Sequence, residues 1–261
     1  MEAPTEHMET DSTPTPVDDG PSNVISADEA DKHITFERDA NTIICGPTSS
    51  GKSTLMQRIL LDGKFAPHPY QRVIICAPAE TCKSWREILK DIEELRNKVT
   101  YVEGASKFVE LIDSNFLPAD SVLILDDYTQ QADEKKFRSA LERLFHVTTH
   151  HKHLWTFFLI HNLFTSGVVS ARRNTQNFIL FNTMGDHAAA AAFASRLVNA
   201  DKAQLFMDMW KDFTAGDKHG WMRFDQRLRG SMRGILSSGP GVTIEDGAKL
   251  VINDNGVPFT L

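Results

Sequence analysis

Gly46-Pro47-Thr48-Ser49-Ser50-Gly51-Lys52-Ser53 fills every fixed position of GxxxxGK[ST], a spacing suited to holding phosphate. Its glycines let the backbone curl so that successive N–H groups point inward at an anion. A helix starting at Lys52 adds its positive dipole end. In such a loop Lys52 reaches the β- and γ-phosphates, Ser53 offers its hydroxyl to Mg²⁺, and Thr54 completes the cradle. The ligand this implies is ATP with magnesium.

A second group follows about 70 residues later, where Val122-Leu123-Ile124-Leu125 runs into Asp126-Asp127. Four apolar residues ending in two carboxylates describe a central strand that delivers acids to its C-terminal edge. Asp126 suits an outer-shell magnesium role, and Asp127 is placed to polarise an attacking water. Third, the apolar run 154–160 ends in His161-Asn162. Either residue could hydrogen-bond the γ-phosphate or the water and so act as a sensor. Fourth, Arg172 and Arg173 precede the strand expected at 178–181. One of them is a candidate arginine finger, a cation lent to a neighbouring subunit's ATP to neutralise transition-state charge. His146, His150, His151 and His153 are read as solvated loop histidines near phosphate rather than zinc ligands, since no cysteine lies nearby to complete a common zinc set.

These groups need strand ends to hold them, and the sequence supplies strands. Short apolar runs, several rich in β-branched or aromatic residues, predict strands at 42–45, 72–76, 99–102, 122–125, 154–160, 178–181 and 221–224. Helical patterns lie between them at 52–61, 83–95, 105–115, 133–145, 186–200 and 202–213. In 83–95, Trp85, Ile88, Leu89, Ile92 and Leu95 recur at helical spacing as one apolar face. Strand-then-helix repetition implies an α/β fold: a mostly parallel sheet flanked by helices on both faces.

Charge divides the chain. Residues 1–33 hold nine acids and one base, leaving 26 acids and 27 bases for 34–261. The net charge of −7 therefore belongs to the N-terminal segment. That segment lacks aromatics and periodicity and is expected to be a disordered acidic tail. The near-neutral body leaves room for a local basic surface facing DNA. The ATPase domain is expected at 34–237, and 238–261 as a C-terminal extension with a small hairpin around 250–252. The three cysteines (Cys45, Cys76 and Cys82) form no disulfide framework or CxxC pair, which points to a reducing, intracellular compartment. No apolar run approaches the roughly 20 residues that span a bilayer, and the N-terminus has no pattern of a secretory signal.

With these motifs in order, the chain resembles the genome-packaging ATPases of large eukaryotic DNA viruses and of virus-like self-synthesising DNA transposons. These poxvirus-type and Maverick/Polinton-type enzymes belong to the HerA/FtsK class of P-loop ATPases. The resemblance covers residues 34–236. It rests on Gly46 through Thr54, on Asp126-Asp127, and on Thr149-His150-His151-Lys152-His153-Leu154-Trp155-Thr156-Phe157. Residues 174–181 and the ending Gly220-Trp221-Met222-Arg223-Phe224-Asp225 with Arg227, Arg229 and Arg233 also match the family's pattern. The family usually has Gln-Asn where this chain has His161-Asn162. The resemblance implies a RecA-like sheet whose sensor strand lies between the phosphate-loop strand and the Asp-Asp strand. It further implies a homo-oligomeric ring, hexamer or pentamer, that drives double-stranded DNA into a capsid. A capsid or portal-vertex protein would then be a partner, at sites of virion assembly in the host nucleus or cytoplasm.

Two other functions are compatible with the motifs. A DNA helicase or translocase for replication or segregation would be expected to carry an added DNA-binding domain, for which 261 residues leave little room. An NTP-binding scaffold without turnover would have no need of the full set Lys52, Ser53, Asp126 and Asp127.

Overall fold

Strands form where the sequence concentrates branched and aromatic residues. In chain order these are β1 (Phe36–Glu37), β2 (Ala40–Cys45), β3 (Phe65–Ala66), β4 (Arg72–Ala77), β5 (Val99–Glu103) and β6 (Ser121–Asp126). There follow β7 (Trp155–Ile160), β8 (Asn177–Phe181), β9 (Trp221–Asp225), β10 (Ile235–Ser238), β11 (Leu250–Ile252) and β12 (Pro258–Thr260). The structure is a computed structural model that describes residues 36–61, 65–66, 69–182, 187–198, 200–215, 219–226, 235–238, 250–252 and 258–260. The acidic tail expected at 1–33 and the arginines 227, 229 and 233 lie outside the described residues.

The main sheet has the order β12-β11-β10-β9-β8-β2-β7-β6-β4-β5. From β8 to β5 every pairing is parallel, and β9 to β12 add on antiparallel. The sensor strand β7 therefore lies between the phosphate-loop strand β2 and the Asp-Asp strand β6, as the resemblance implies. Each parallel step needs a crossover. Helices α1 (Lys52–Leu61), α2 (Ala79–Leu89), α3 (Glu93–Arg96), α4 (Ala105–Asp113) and α5 (Lys135–Arg143) serve the first strands. α6 (Val169–Arg173), α7 (His187–Leu197) and α8 (Ala203–Ala215) serve the later ones.

Alternation along the strands fills two cores, one on each face of the sheet. Ile43, Ile74, Leu123, Phe158 and Phe178 pack with Phe108, Phe137, Phe193 and Trp210. Their neighbours Ile44, Ile75, Ile124, Phe157 and Ile179 pack with Leu55, Ile59, Trp85 and Leu89 on the opposite face. Both faces of a parallel strand are thus dry, which explains its continuous apolar text. Among the described residues no helix is long and apolar enough to cross a membrane.

Two helices depart from the bounds that periodicity predicts. The single helix expected at 83–95 is two helices, because Ile92 is extended (φ −97°, ψ 99°) and splits α2 from α3. The apolar face survives the break: Trp85, Leu89 and Leu95 are all buried. The helix expected at 133–145 starts at Lys135 and runs on through a π-helical segment, Leu144–Thr148, into a last turn, Thr149–His151.

A buried asparagine ties this π segment to the sheet. Asn41 Nδ2 donates to the Phe145 carbonyl at 2.9 Å and to the Asn174 carbonyl at 2.8 Å, while its Oδ1 accepts from Thr149 Oγ1 at 2.9 Å. Asn41→Ala would leave buried carbonyls without their donor. It is expected to cost about 3 kcal/mol, read as a lower urea midpoint with an unchanged slope. A loss below about 0.5 kcal/mol would show that water replaces the amide.

Candidate nucleotide-binding site

β2 ends at Cys45, the chain turns through Gly46 to Gly51, and α1 begins at Lys52. Two positions of this loop admit only glycine. A Cβ on Gly46 would sit 2.5 Å from Ser50 Oγ and 2.7 Å from Phe181 Cβ, and Gly51 has φ +100°. Lys52 Nζ donates to the Gly46 and Pro47 carbonyls at 2.8 and 2.9 Å, which holds the amine over the loop. Burial lowers the Lys52 pKa, while Asp126 and other nearby groups pull it back up.

The acids arrive as expected at the C-terminal end of β6. Asp126 is buried, and its Oδ2 accepts a hydrogen bond from Trp85 Nε1 at 2.8 Å. Burial raises the Asp126 pKa above the ordinary carboxylate range, against the opposing pull of the Trp85 bond and of Lys52. Asp127 turns the chain out of the strand in the left-handed region, at φ 62°, and is exposed. Thr81 Oγ1 donates to its Oδ2 at 3.3 Å.

His161 stands between Lys52 and Asp127. Its Nδ1 is 3.4 Å from Lys52 Nζ and its Nε2 is 3.3 Å from Asp127 Oδ1. The ring is thus wedged between the lysine ammonium on one side and the carboxylate on the other. Asn162 faces elsewhere: its Oδ1 accepts from the Phe164 N–H at 2.8 Å and shapes the turn leaving β7. Of the two sensor candidates, the geometry brings His161 to the site.

These groups line one cleft of about 370 Å³ with Thr48, Ser49, Ser53, Glu80, Thr81 and Ser84. Glu80, Thr81 and Ser84 come from the first turns of α2, which begins four residues before the helix expected at 83–95. They follow β4 as the phosphate loop follows β2, at the carboxyl edge where parallel sheets hold ligands. Trp85 was legible only as an apolar residue. Its signal was the indole N–H, which seeks a partner when buried.

Neither candidate finger residue lines this cleft. Arg172 is half-buried and donates to the Leu163 carbonyl at 2.8 Å, tying α6 to the loop after β7, whereas Arg173 is exposed. Arg223, expected in the last strand, is a core cation. It donates twice to Asn177 Oδ1, lies over the Phe36 ring, and burial pushes its pKa down to about 10. The histidine group is not near the phosphate loop, contrary to expectation. His150, His151 and His153 precede the first residue of β7, at the opposite edge of the sheet, where His153 pairs with Asp39. Helix 149–151 runs straight into that strand, so the segment has no path to the carboxyl edge.

The residues present fit a triphosphate with magnesium. Ser50 Oγ is buried inside the loop with no hydrogen-bond partner among the described residues, a polar atom suited to an incoming anion. Ser53 and Asp126 share the cleft. Mg²⁺ needs only one or two protein oxygens beside substrate phosphates and water.

The raised pKa of Asp126 has a measurable consequence. Its folded state holds a proton more tightly than the unfolded chain, so its contribution to stability is fully present below the ordinary carboxylate range and is lost as pH rises through the folded value. Asp126→Asn keeps an acceptor for Trp85 and removes the buried charge. It is expected to raise the melting temperature by about 2–4 °C at pH 7, on the order of 1 kcal/mol. The gain should vanish below about pH 4, where the wild-type acid is neutral in both states. A variant less stable than wild type at pH 7 would mean that attraction to Lys52 outweighs burial.

No protein-family model matches this sequence, and no curated protein matches it. Among solved structures, the genome packaging NTPase B204 of Sulfolobus turreted icosahedral virus 2, in complex with sulfate, superposes with a TM-score of 0.54 at 17% identity. The match covers 78% of this chain and 98% of that one. The same NTPase in complex with AMPPCP gives 0.54 at 17% identity, covering 77% and 98%. B204 of Sulfolobus turreted icosahedral virus, described as a DNA-packaging ATPase, gives 0.54 at 15% identity over 78% and 99%. Strand order, phosphate loop and these superpositions agree: the chain has the RecA-like P-loop NTPase fold.

Proposed function

We propose that this chain hydrolyses ATP to translocate double-stranded DNA, packaging a viral or virus-like transposon genome into a capsid. The observation that carries the reading is the convergence of Lys52, Asp126, Asp127 and His161 on one cleft, from the ends of the adjacent strands β6 and β7 and the start of α1. Lys52 places a point charge against the β- and γ-phosphates. His161 bridges Lys52 to Asp127 and so fixes the carboxylate where it accepts the proton of the attacking water. Ser53, with Asp126 behind it, would hold a magnesium ion, which would supply positive charge to the phosphates. Thr81 holds the second oxygen of Asp127.

The DNA-packaging part is supported by the superposition, over 98–99% of their length, of packaging NTPases whose fold this chain shares. The near-neutral body supports it too, since it presents no overall charge barrier to DNA. In a ring, the exposed Arg173 suits the trans finger, because Arg172 is committed to the Leu163 carbonyl of its own chain.

Steady-state phosphate release by the full chain, with and without double-stranded DNA, tests the reading. Magnesium-dependent turnover that DNA stimulates is expected. ATP binding without turnover would reduce the chain to a scaffold, and turnover indifferent to DNA would remove the motor. Copurification with a capsid protein from the same genome is expected for packaging and not for replication.

A further inference from the structure

We propose that His219 forms the nucleobase side of this site, so that its ligand is a nucleoside triphosphate gripped at both ends; this rests on the nucleotide reading above. β9 runs antiparallel to β8 with Trp221 opposite Phe181. The chain therefore comes into β9 at the carboxyl edge of the sheet, beside the phosphate loop. There His219 Nδ1 lies 3.0 Å from the Ser50 carbonyl oxygen. A Cβ on Gly51 would lie 3.1 Å from the same nitrogen and 3.8 Å from Cγ, so the imidazole rests directly on the loop backbone. The residue is nonetheless exposed.

The direction of the ligand follows from groups already placed. Lys52, Asp127 and His161 gather at the β7 and β6 side of the loop, which is where the γ-phosphate must sit to react. The α-phosphate and nucleoside then leave on the opposite side, over the first turn of α1 and toward β8 and β9, which follow one another on the side of β2 away from β7. His219 occupies that side. Phe181 is there too, but it is buried against Gly46 and offers no face to a ligand.

The chemistry suits a base. A carbonyl oxygen can only accept, so Nδ1 of His219 carries the proton and the ring is held in one orientation. An oriented aromatic ring stacks on any nucleobase, since every base has a π face. Because the anchoring bond goes to Ser50, the base and the phosphates are read by one continuous piece of backbone.

The test measures magnesium-dependent binding of ATP, GTP and inorganic tripolyphosphate to the full chain. His219→Ala is expected to weaken ATP and GTP about tenfold and to leave tripolyphosphate unchanged. His219→Phe, which keeps a stacking ring, is expected to recover most of the nucleotide affinity. Equal weakening of ATP and tripolyphosphate would show that His219 only props the loop, and unchanged ATP binding would place it outside the site; either overturns the proposal. Wild-type chain that bound neither ATP nor tripolyphosphate would instead overturn the nucleotide reading, and this inference with it.

Discussion

Lys52→Ala is expected to reduce ATP hydrolysis by about a thousandfold or more and to weaken ATP binding, while the fold survives. The substitution removes the point charge that the phosphate loop itself carries. Backbone N–H groups still line the cradle, but dipoles alone cannot neutralise charge building on the γ-phosphate. The structure adds a constraint on how the loss must look. Lys52 is buried, burial lowers its pKa against the pull of Asp126, and its ammonium is held by the Gly46 and Pro47 carbonyls. Holding a cation there without phosphate is costly, so the alanine variant should melt no earlier than wild type. Phosphate release and a thermal melt on the same preparation give the answer. Full turnover would remove the central reading. Lost turnover with a collapsed melt would mean that Lys52 is a structural cation whose carbonyl bonds hold the loop together.

Much of this site was legible because its chemistry is local in sequence. The phosphate loop is one contiguous octet, and Asp126-Asp127 follow their strand directly, so spacing alone carried them. Residues that reach the site from elsewhere were not legible. Glu80, Thr81 and Ser84 matter because β4 is next to β6, and His219 because β9 folds back beside β8. Neighbour relations of that kind are tertiary facts. His161 and Asn162 could not be separated by residue type, since both can donate and accept. What separates them is the Asn162 side chain capping the Phe164 N–H. The sheet's two dry faces explain why strand positions were read well. The break at Ile92 went unseen because Leu95 still returns to the same core, and helical spacing therefore persisted across it.

Asp127→Asn is expected to slow hydrolysis at least about a hundredfold, some 2.7 kcal/mol of barrier, while ATP binding is retained. Asparagine is the substitution of choice for a structural reason. Asp127 sits at φ 62°, a left-handed conformation that asparagine tolerates as well as aspartate and that alanine does not. The variant therefore changes the proton acceptor without straining the turn out of β6. Its amide oxygen can still accept from Thr81 or from His161, so the side chain keeps an anchor. The exposed carboxylate also carries little folding energy of its own, so stability should barely move. His161→Ala acts on the same step from the other side. It removes the bridge between Lys52 and Asp127 but leaves the carboxylate, so it should lose less than Asp127→Asn. The double variant should lose little more than Asp127→Asn alone, since a positioning group has no effect once the base it positions is gone. Single-turnover rates and calorimetric ATP affinities on the three variants decide the matter. Parallel loss of affinity and rate in Asp127→Asn would make Asp127 a ligand of the metal rather than the base, and fully additive losses would mean that His161 touches the phosphate independently of Asp127.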